Sequence, residues 1–346
     1  MGLVDRECGR PRAGARPGGV TTAPEHVRTL TANRGDAGTR LDLVLRRHLS
    51  DLHTATRTRV QAWIASGQVS VNGTPVGRVA ARVALGDIVT ISLPAAGPGM
   101  AAEEAYLEVL YEDDSLLAIN KPAGIVVHPT YKNVAGTVMN ALLWRAREWP
   151  APERPSIVGR LDKLTSGVVV VAKTAAAHAS LQRAMAARDA EKDYLAVVYG
   201  RVNAVKGEID FRLRRDLSDR RRVVTSRTVG ALSLTRFERL ARVAAPHVGL
   251  SLVRCSLVTG RTHQIRVHLA ARGRPVVGDP VYGEPRWSEV DDPVLAAALK
   301  AFPRQALHAR RLALTHPVTR TRLMIEAPLP ADFETLLKVT GLRVSG

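Results

Sequence analysis

The sequence predicts an α+β chain in two units, and three observations carry that expectation. Short apolar stretches of strand character, such as GVVVVAK and YLAVVYG, mix with helical stretches such as TAAAHASLQRAMAARD without strict alternation, which favours α+β over a doubly wound sheet. The segment PAAGPGMAAEEA, rich in Pro, Gly and Ala, separates a small unit from a large one. The length, 346 residues, also exceeds what a single small core would require.

Residues 1–33 read as a disordered basic arm: GRPRAGARPGG is cationic, but its Pro and Gly prevent an amphipathic targeting helix. HVRTLTA, inside that span, has the composition of a short strand. Residues 34–94 form the small unit. TRLDLVLRRHL places Leu41, Val44, Leu45 and Leu49 on one helical face. TRTRVQAWIASG reads as a second helix, starting at Thr56 or Thr58 and stopping at Gly67. QVSVNGTPV alternates on either side of Asn72-Gly73, a hairpin signal, and LGDIVTISL closes the unit. Residues 95–104 are the linker and 105–346 the large unit, with strands in YLEVLYED, SLLAIN and LSLVRCSLVTG and a helix in THQIRVHLAARG. No internal repeat and no Gly-rich phosphate loop is found; GRPVVGDPVYG follows a helix rather than a strand, so its glycines read as turns.

Charge is the unusual quantity. Fifty Lys and Arg stand against 32 Asp and Glu, a net +18. The excess is not confined to a tail, since residues 1–100 carry 13 Arg and no Lys against 7 acidic residues. Such a spread favours a polyanionic partner, nucleic acid first. Cys8 and Cys255 are too few and too far apart for a disulfide framework or a zinc site, which suits a reducing cytoplasm. No apolar run approaches the ~18 residues of a membrane span, and Arg6 stands where a myristoylation signal has Ser or Thr. A monomer is expected.

Four segments of the large unit invite a chemical reading. IVGRLDKLTSGVVVVAK sets Asp162 between Arg160 and Lys163 just before a buried strand. EKDYLAVVYG carries Tyr194 into another strand. VTGRTHQIRVHL places Arg261 before a helix whose N-cap would be Thr262, and INKPAGIVVHPT is a turn-rich loop after a strand. Taken singly, each has an ordinary structural use: Asp162 as a strand-capping carboxylate, Tyr194 as a core tyrosine, Arg261 as a surface cation. His263 and His268, five apart, miss the i, i+4 spacing that sets two metal ligands on one helix face, so no metal is expected. In the small unit, Arg46 and Arg47 on the first helix and Arg57 and Arg59 at the start of the second make either a solvated face or a phosphate-binding one.

Taken together, the motifs resemble known families. The order of basic helix, TRTRVQAWIASGQVSVNG and LGDIVTI resembles the S4 RNA-binding domain, which implies that these arginines grip structured RNA backbone. The large unit resembles the pseudouridine synthases of the RluA family, in the branch that carries an N-terminal S4 domain. The resemblance rests on Gly159-Arg160-Leu161-Asp162-Lys163-Leu164-Thr165-Ser166-Gly167, on Asn120 to Gly124, on Lys192 and Tyr194, on Gly260 to His268 and on HARRLALTHP, over roughly residues 38–340. It implies a catalytic domain with a mixed, largely antiparallel sheet and flanking helices. The implied activity is isomerisation of uridine to pseudouridine, most simply in large-subunit ribosomal RNA, with no cofactor. Asp162 would act at the ribose, Tyr194 would lie against the base and assist proton loss from C5, and Arg160 would fill the gap left by the flipped base. Arg261 matches the arginine that pairs bidentately with the aspartate and offsets its desolvation. Gly159 departs from the family's usual histidine. Two other readings compete: an RNA-binding assembly factor without turnover, and an aspartate glycosidase, which would need a second catalytic carboxylate that the motifs do not offer.

Overall fold

The computed structural model describes residues 26–49, 55–93, 100–130, 133–151, 153–219, 221–244, 249–283 and 286–343. Residues 1–25 of the expected arm and 94–99 around the expected linker lie outside them. The chain divides between residues 99 and 100 into two compact units.

The first unit runs β1 (His26–Thr31), α1 (Leu41–His48), α2 (Arg57–Ala65), β2 (Val69–Val71), β3 (Thr74–Pro75) and β4 (Ile88–Leu93). Residues 26–31, which the sequence placed within the arm, are a strand. β1 pairs along its length with β4, in a four-stranded sheet of order β1-β4-β2-β3, so these residues belong to the unit. The Thr56 side chain caps α2, and Asn72 and Gly73 both take positive φ, as a tight two-residue hairpin turn requires. Leu41, Val44, Leu45 and Leu49 pack on Val60, Ile64 and Ile91. Each such burial contributes about 1.5–3 kcal/mol against an exposed side chain, which is what holds so short a pair of helices on the sheet.

The second unit contains β5 (Glu108–Glu112), β6 (Leu116–Lys121), α3 (Val138–Arg145), β7 (Ser156–Val158), β8 (Ser166–Ala172), α4 (Ala175–Ala186), β9 (Glu191–Tyr199), β10 (Lys206–Arg215), β11 (Val223–Ser226), β12 (Ala231–Val243), β13 (Leu250–Leu257), α5 (Gln264–Ala271), α6 (Pro293–Ala301), β14 (Leu307–Thr315), β15 (Arg322–Glu326) and α7 (Ala331–Thr340). Its sheet runs β11-β10-β12-β13-β9-β14-β8-β6-β5, with β15 added to β14 and β7 to β8. Every pairing is antiparallel except β14 with β8. This is the mixed, largely antiparallel sheet expected. β8 is buried over its whole length, which explains its unbroken apolar sequence.

At the parallel junction the two strands approach closely. Gly167 sits at φ +115, and a Cβ there would lie 2.2 Å from the Ala309 carbonyl oxygen, so only glycine fits. The neighbouring Ser166 Oγ bonds His308 Nδ1 at 2.9 Å.

Two buried histidines give the fold a pH signature. Burial depresses both His268 and His308 to about 4, against an ordinary value of 6.5. Above pH 6.5 neither state binds the proton. Between 6.5 and 4 the unfolded chain takes it up and the folded chain does not, so stability falls with pH. Urea midpoints of the full chain should therefore fall steadily from pH 7 to pH 5; a flat profile across that window would show that these imidazoles protonate freely in the fold.

Candidate active site

The loop from Gly159 to Thr165 leaves β7 and enters β8 at the parallel junction, and it carries Asp162 into an open cleft of about 580 Å³. Tyr194, Lys192, Arg160, Arg261, His263 and Arg266 also line the cleft. The loop is pinned from beneath. Lys121, fully buried, donates to the carbonyls of Pro122 (2.7 Å), Ile125 (2.8 Å) and Lys163 (3.1 Å), and Gly124 N donates to Lys163 O at 2.8 Å. The Asn-Lys-Pro-Ala-Gly turn therefore clamps the residue that follows Asp162. Gln305 Nε2 holds Thr165 Oγ1 at 2.8 Å, and Thr165 N donates to Asp162 O. Gly159 takes φ +89, a conformation that a histidine adopts only with strain, and a Cβ there would meet nothing within 4 Å.

The arginine that holds Asp162 is Arg266, not Arg261. Arg266 Nη1 donates to Asp162 Oδ2 at 2.8 Å. The contact is single rather than bidentate; the bidentate partner is Asp279, bonded from Nε at 2.6 Å and from Nη2 at 2.8 Å. Asp279 also accepts from the amides of Val281 (2.9 Å) and Tyr282 (3.0 Å). Burial alone would lower the affinity of Arg266 for its proton. Asp279 and then Asp162 outweigh it and raise the guanidinium above its ordinary value. Burial pushes Asp279 up, but the Arg266 bonds carry it below the usual carboxylate range, so it stays ionised with its oxygens engaged.

α5 is capped by His263 rather than Thr262, which leaves Arg261 on an exposed loop, its side chain reaching only the Leu232 carbonyl at 3.4 Å. Arg266 lies in the first turn of α5, where residues 264–269 are all buried. The alternation Gln264-Ile265-Arg266-Val267-His268-Leu269 gives this helix no polar face, and that pattern is the sequence signal that its cation is paired internally. Asp279 has no such signal, because it stands among the turn-forming glycines and prolines of GRPVVGDPVYG. It is the carboxylate that the glycosidase reading lacked, yet with every bond it makes directed to Arg266 and two amides it has no role as a free acid.

Burial raises the Tyr194 phenol well above its ordinary range, and the Asp162 charge adds to this. A phenol kept protonated is a hydrogen-bond donor and a flat apolar face, not a ready base. Arg160 is exposed at the cleft, beside the loop that carries His128. In the first unit Arg46, Arg57 and Arg59 are exposed, whereas Arg47 Nη1 is spent on the buried Asp36 at 3.2 Å. Among the described residues no group of three His, Cys, Asp or Glu is placed to hold a metal, and no helix is long and apolar enough to cross a membrane.

A carboxylate held by a buried arginine lines an open cleft with a protonated tyrosine and a cationic rim, an arrangement suited to an anionic ligand with a planar, stackable group. Comparison with known proteins narrows that class. The sequence profile described as RNA pseudouridylate synthase matches residues 115–271. The chain is 39% identical over 308 residues to the ribosomal large subunit pseudouridine synthase D of Neisseria meningitidis serogroup B, covering 88% of this chain and 80% of that one. To the Bacillus subtilis uncharacterized RNA pseudouridine synthase YlyB it is 38% identical, with 92% and 98% covered. Among solved structures, human RNA pseudouridylate synthase domain containing 1 superposes with a TM-score of 0.52 at 27% identity, covering 70% of this chain and 90% of that one. This chain belongs to the RNA pseudouridylate synthase family.

Proposed function

We propose that this enzyme isomerises particular uridines of large-subunit ribosomal RNA, in the cytoplasm, with Asp162 as the group that acts at the ribose. The N1–C1′ bond breaks, the base turns, C5 bonds to C1′, the C5 proton leaves to solvent and N1 takes one from it, so the composition of the nucleotide is unchanged. The observation that carries this reading is the Asp162–Arg266 contact inside the cleft: a carboxylate kept at one place by a guanidinium that is itself fixed by Asp279. Tyr194 supplies a face for the base and Arg160 a planar cation at the rim, suited to fill the gap left by an extruded nucleotide. The Neisseria meningitidis relative, named a ribosomal large subunit pseudouridine synthase, supports the choice of RNA.

Carbodiimide mapping of pseudouridine in total RNA, from cells with and without this gene, tests the reading. Large-subunit sites should vanish on deletion and return with the wild-type chain but not with Asp162→Asn. If no site changed in any RNA class, the RNA-binding factor without turnover would be the better account.

The first unit we read as an S4-like grip on RNA backbone, through Arg46, Arg57 and Arg59. Removing residues 1–95 should weaken RNA binding and flatten its dependence on salt, by about one unit of log–log slope for each phosphate that is no longer neutralised. An unchanged affinity and slope in salt titrations would assign the grip elsewhere.

A further inference from the structure

His263 holds a conformation that its position in the chain does not require. It caps α5 with φ 56 and ψ 16, the left-handed region, yet its side chain makes no capping bond to the helix. For a residue with a Cβ that conformation costs about 1–2 kcal/mol and persists only where the surroundings impose it. What the ring gains is two contacts. Nδ1 lies 2.8 Å from the Tyr282 hydroxyl, and Nε2 lies 3.9 Å from Asp162 Oδ1. Tyr282 meets the imidazole edge-on at 5.6 Å and carries Arg266 over its ring at 5.0 Å, so the same tyrosine braces both groups that face Asp162.

These contacts fix where the imidazole proton sits. The Tyr282 oxygen already accepts the Val223 amide at 2.8 Å. The phenol's own proton is then best used on His263 Nδ1, which makes Nδ1 the acceptor and leaves the ring proton on Nε2. Burial lowers His263 below its ordinary value, so the ring is neutral at pH 7 and this tautomer is the form present. The N–H is therefore on the ring nitrogen that lies 3.9 Å from Asp162 Oδ1, a gap too long for a hydrogen bond.

The two oxygens of Asp162 are not equivalent. Oδ2 belongs to Arg266, while Oδ1 lies opposite His263 Nε2, and both residues line the cleft. A hydroxyl oxygen about 2.8 Å from each would close the gap, donating to Oδ1 and accepting from Nε2. We propose that His263 recognises the 2′-hydroxyl of the target ribose and, with Asp162 Oδ1, seats it at the reacting carbon. The proposal rests on Asp162 acting at the ribose. The 2′-hydroxyl is then the hydroxyl adjacent to the reacting centre, it both donates and accepts, and it is what distinguishes RNA from DNA at a single nucleotide.

The test uses the full chain and a synthetic RNA carrying one uridine found by mapping, made with either ribose or 2′-deoxyribose at that nucleotide alone. His263→Asn removes the ring donor while keeping a residue that tolerates the left-handed backbone. The wild type should prefer the ribose substrate in kcat/KM by at least about tenfold, the scale of one well-placed hydrogen bond. His263→Asn should lose most of that preference, because its ribose rate falls toward its deoxyribose rate. Tyr282→Phe, which frees the ring to carry its proton on either nitrogen, should lie between them. A purely structural role for His263 would slow both substrates alike. A preference in His263→Asn equal to the wild type within about twofold therefore overturns the proposal. Should the variant turn over neither substrate, the same comparison is made by binding in the Asp162→Asn background, with the same criterion for the ratio of the two dissociation constants. Turnover by Asp162→Asn with His263 intact would remove the premise instead, so the two failures are separately visible.

Discussion

Asp162→Asn should bind RNA within a few fold of the wild type while its turnover falls by about four orders of magnitude, the scale at which loss of one essential group is felt. The fold should tolerate the change, because Arg266 keeps both of its bonds to Asp279 when the Asp162 charge is removed. Asparagine fills the same volume and can still accept from Arg266 Nη1, so what is lost is a negative, nucleophilic or proton-accepting oxygen at Oδ1. Release of tritium from C5-labelled uridine in RNA measures turnover, since C5 must surrender its hydrogen as it bonds C1′; filter binding measures affinity. Turnover within tenfold of the wild type would remove Asp162 from the chemistry.

Arg266→Met should be the most destabilising single change at the site, by about 3–5 kcal/mol, because it strands Asp279 without a counter-ion in a place that water does not reach. Arg261→Met, by contrast, should shift stability by no more than about 0.5 kcal/mol, as expected for an exposed side chain with one long contact. Arg261→Met should instead weaken RNA binding in a salt-dependent way, because it removes a cation from the cleft rim. Urea denaturation of the two variants decides the matter. If Arg261→Met were the unstable one, the electrostatic anchor of Asp162 would have to be sought again on the loop before α5.

The contrast between those arginines marks where sequence reasoning stops. Periodicity exposed the apolar face of α1, the hairpin at Asn72-Gly73, the fully buried strand β8 and the mixed order of strands and helices, because each follows from local spacing. The motif around Asp162 announced the site and the family. Which cation reaches the carboxylate depended on where α5 begins, and a shift of its N-cap from Thr262 to His263 accompanies an interior helix that sequesters Arg266 while Arg261 stays outside. Asp279 and Tyr282 stand in a turn whose sequence shows only glycine and proline punctuation. Their roles arise from tertiary contacts with α5 and β11 that no local pattern encodes. Arg47 resembled its neighbour Arg46 in sequence but is committed to Asp36, a partner 11 residues away that became visible only in the fold.

The parallel junction of β8 and β14 also bears on how the protein comes to exist. Ser166 and His308 are joined across 142 residues of chain, and Ala309 closes against Gly167, so the strand that supports the Asp162 loop cannot be completed until β14 has arrived. During synthesis at about 5–20 residues per second, a nascent chain that has emerged only as far as β13 holds every residue of the catalytic loop but has a gap at the centre of its sheet. Such distant pairing is intrinsically slow to form, and until β14 arrives the facing edges of β8 and β9 are open. Leu307 of β14 also lines the cleft that holds Asp162, so the site is complete only once that strand has joined the sheet.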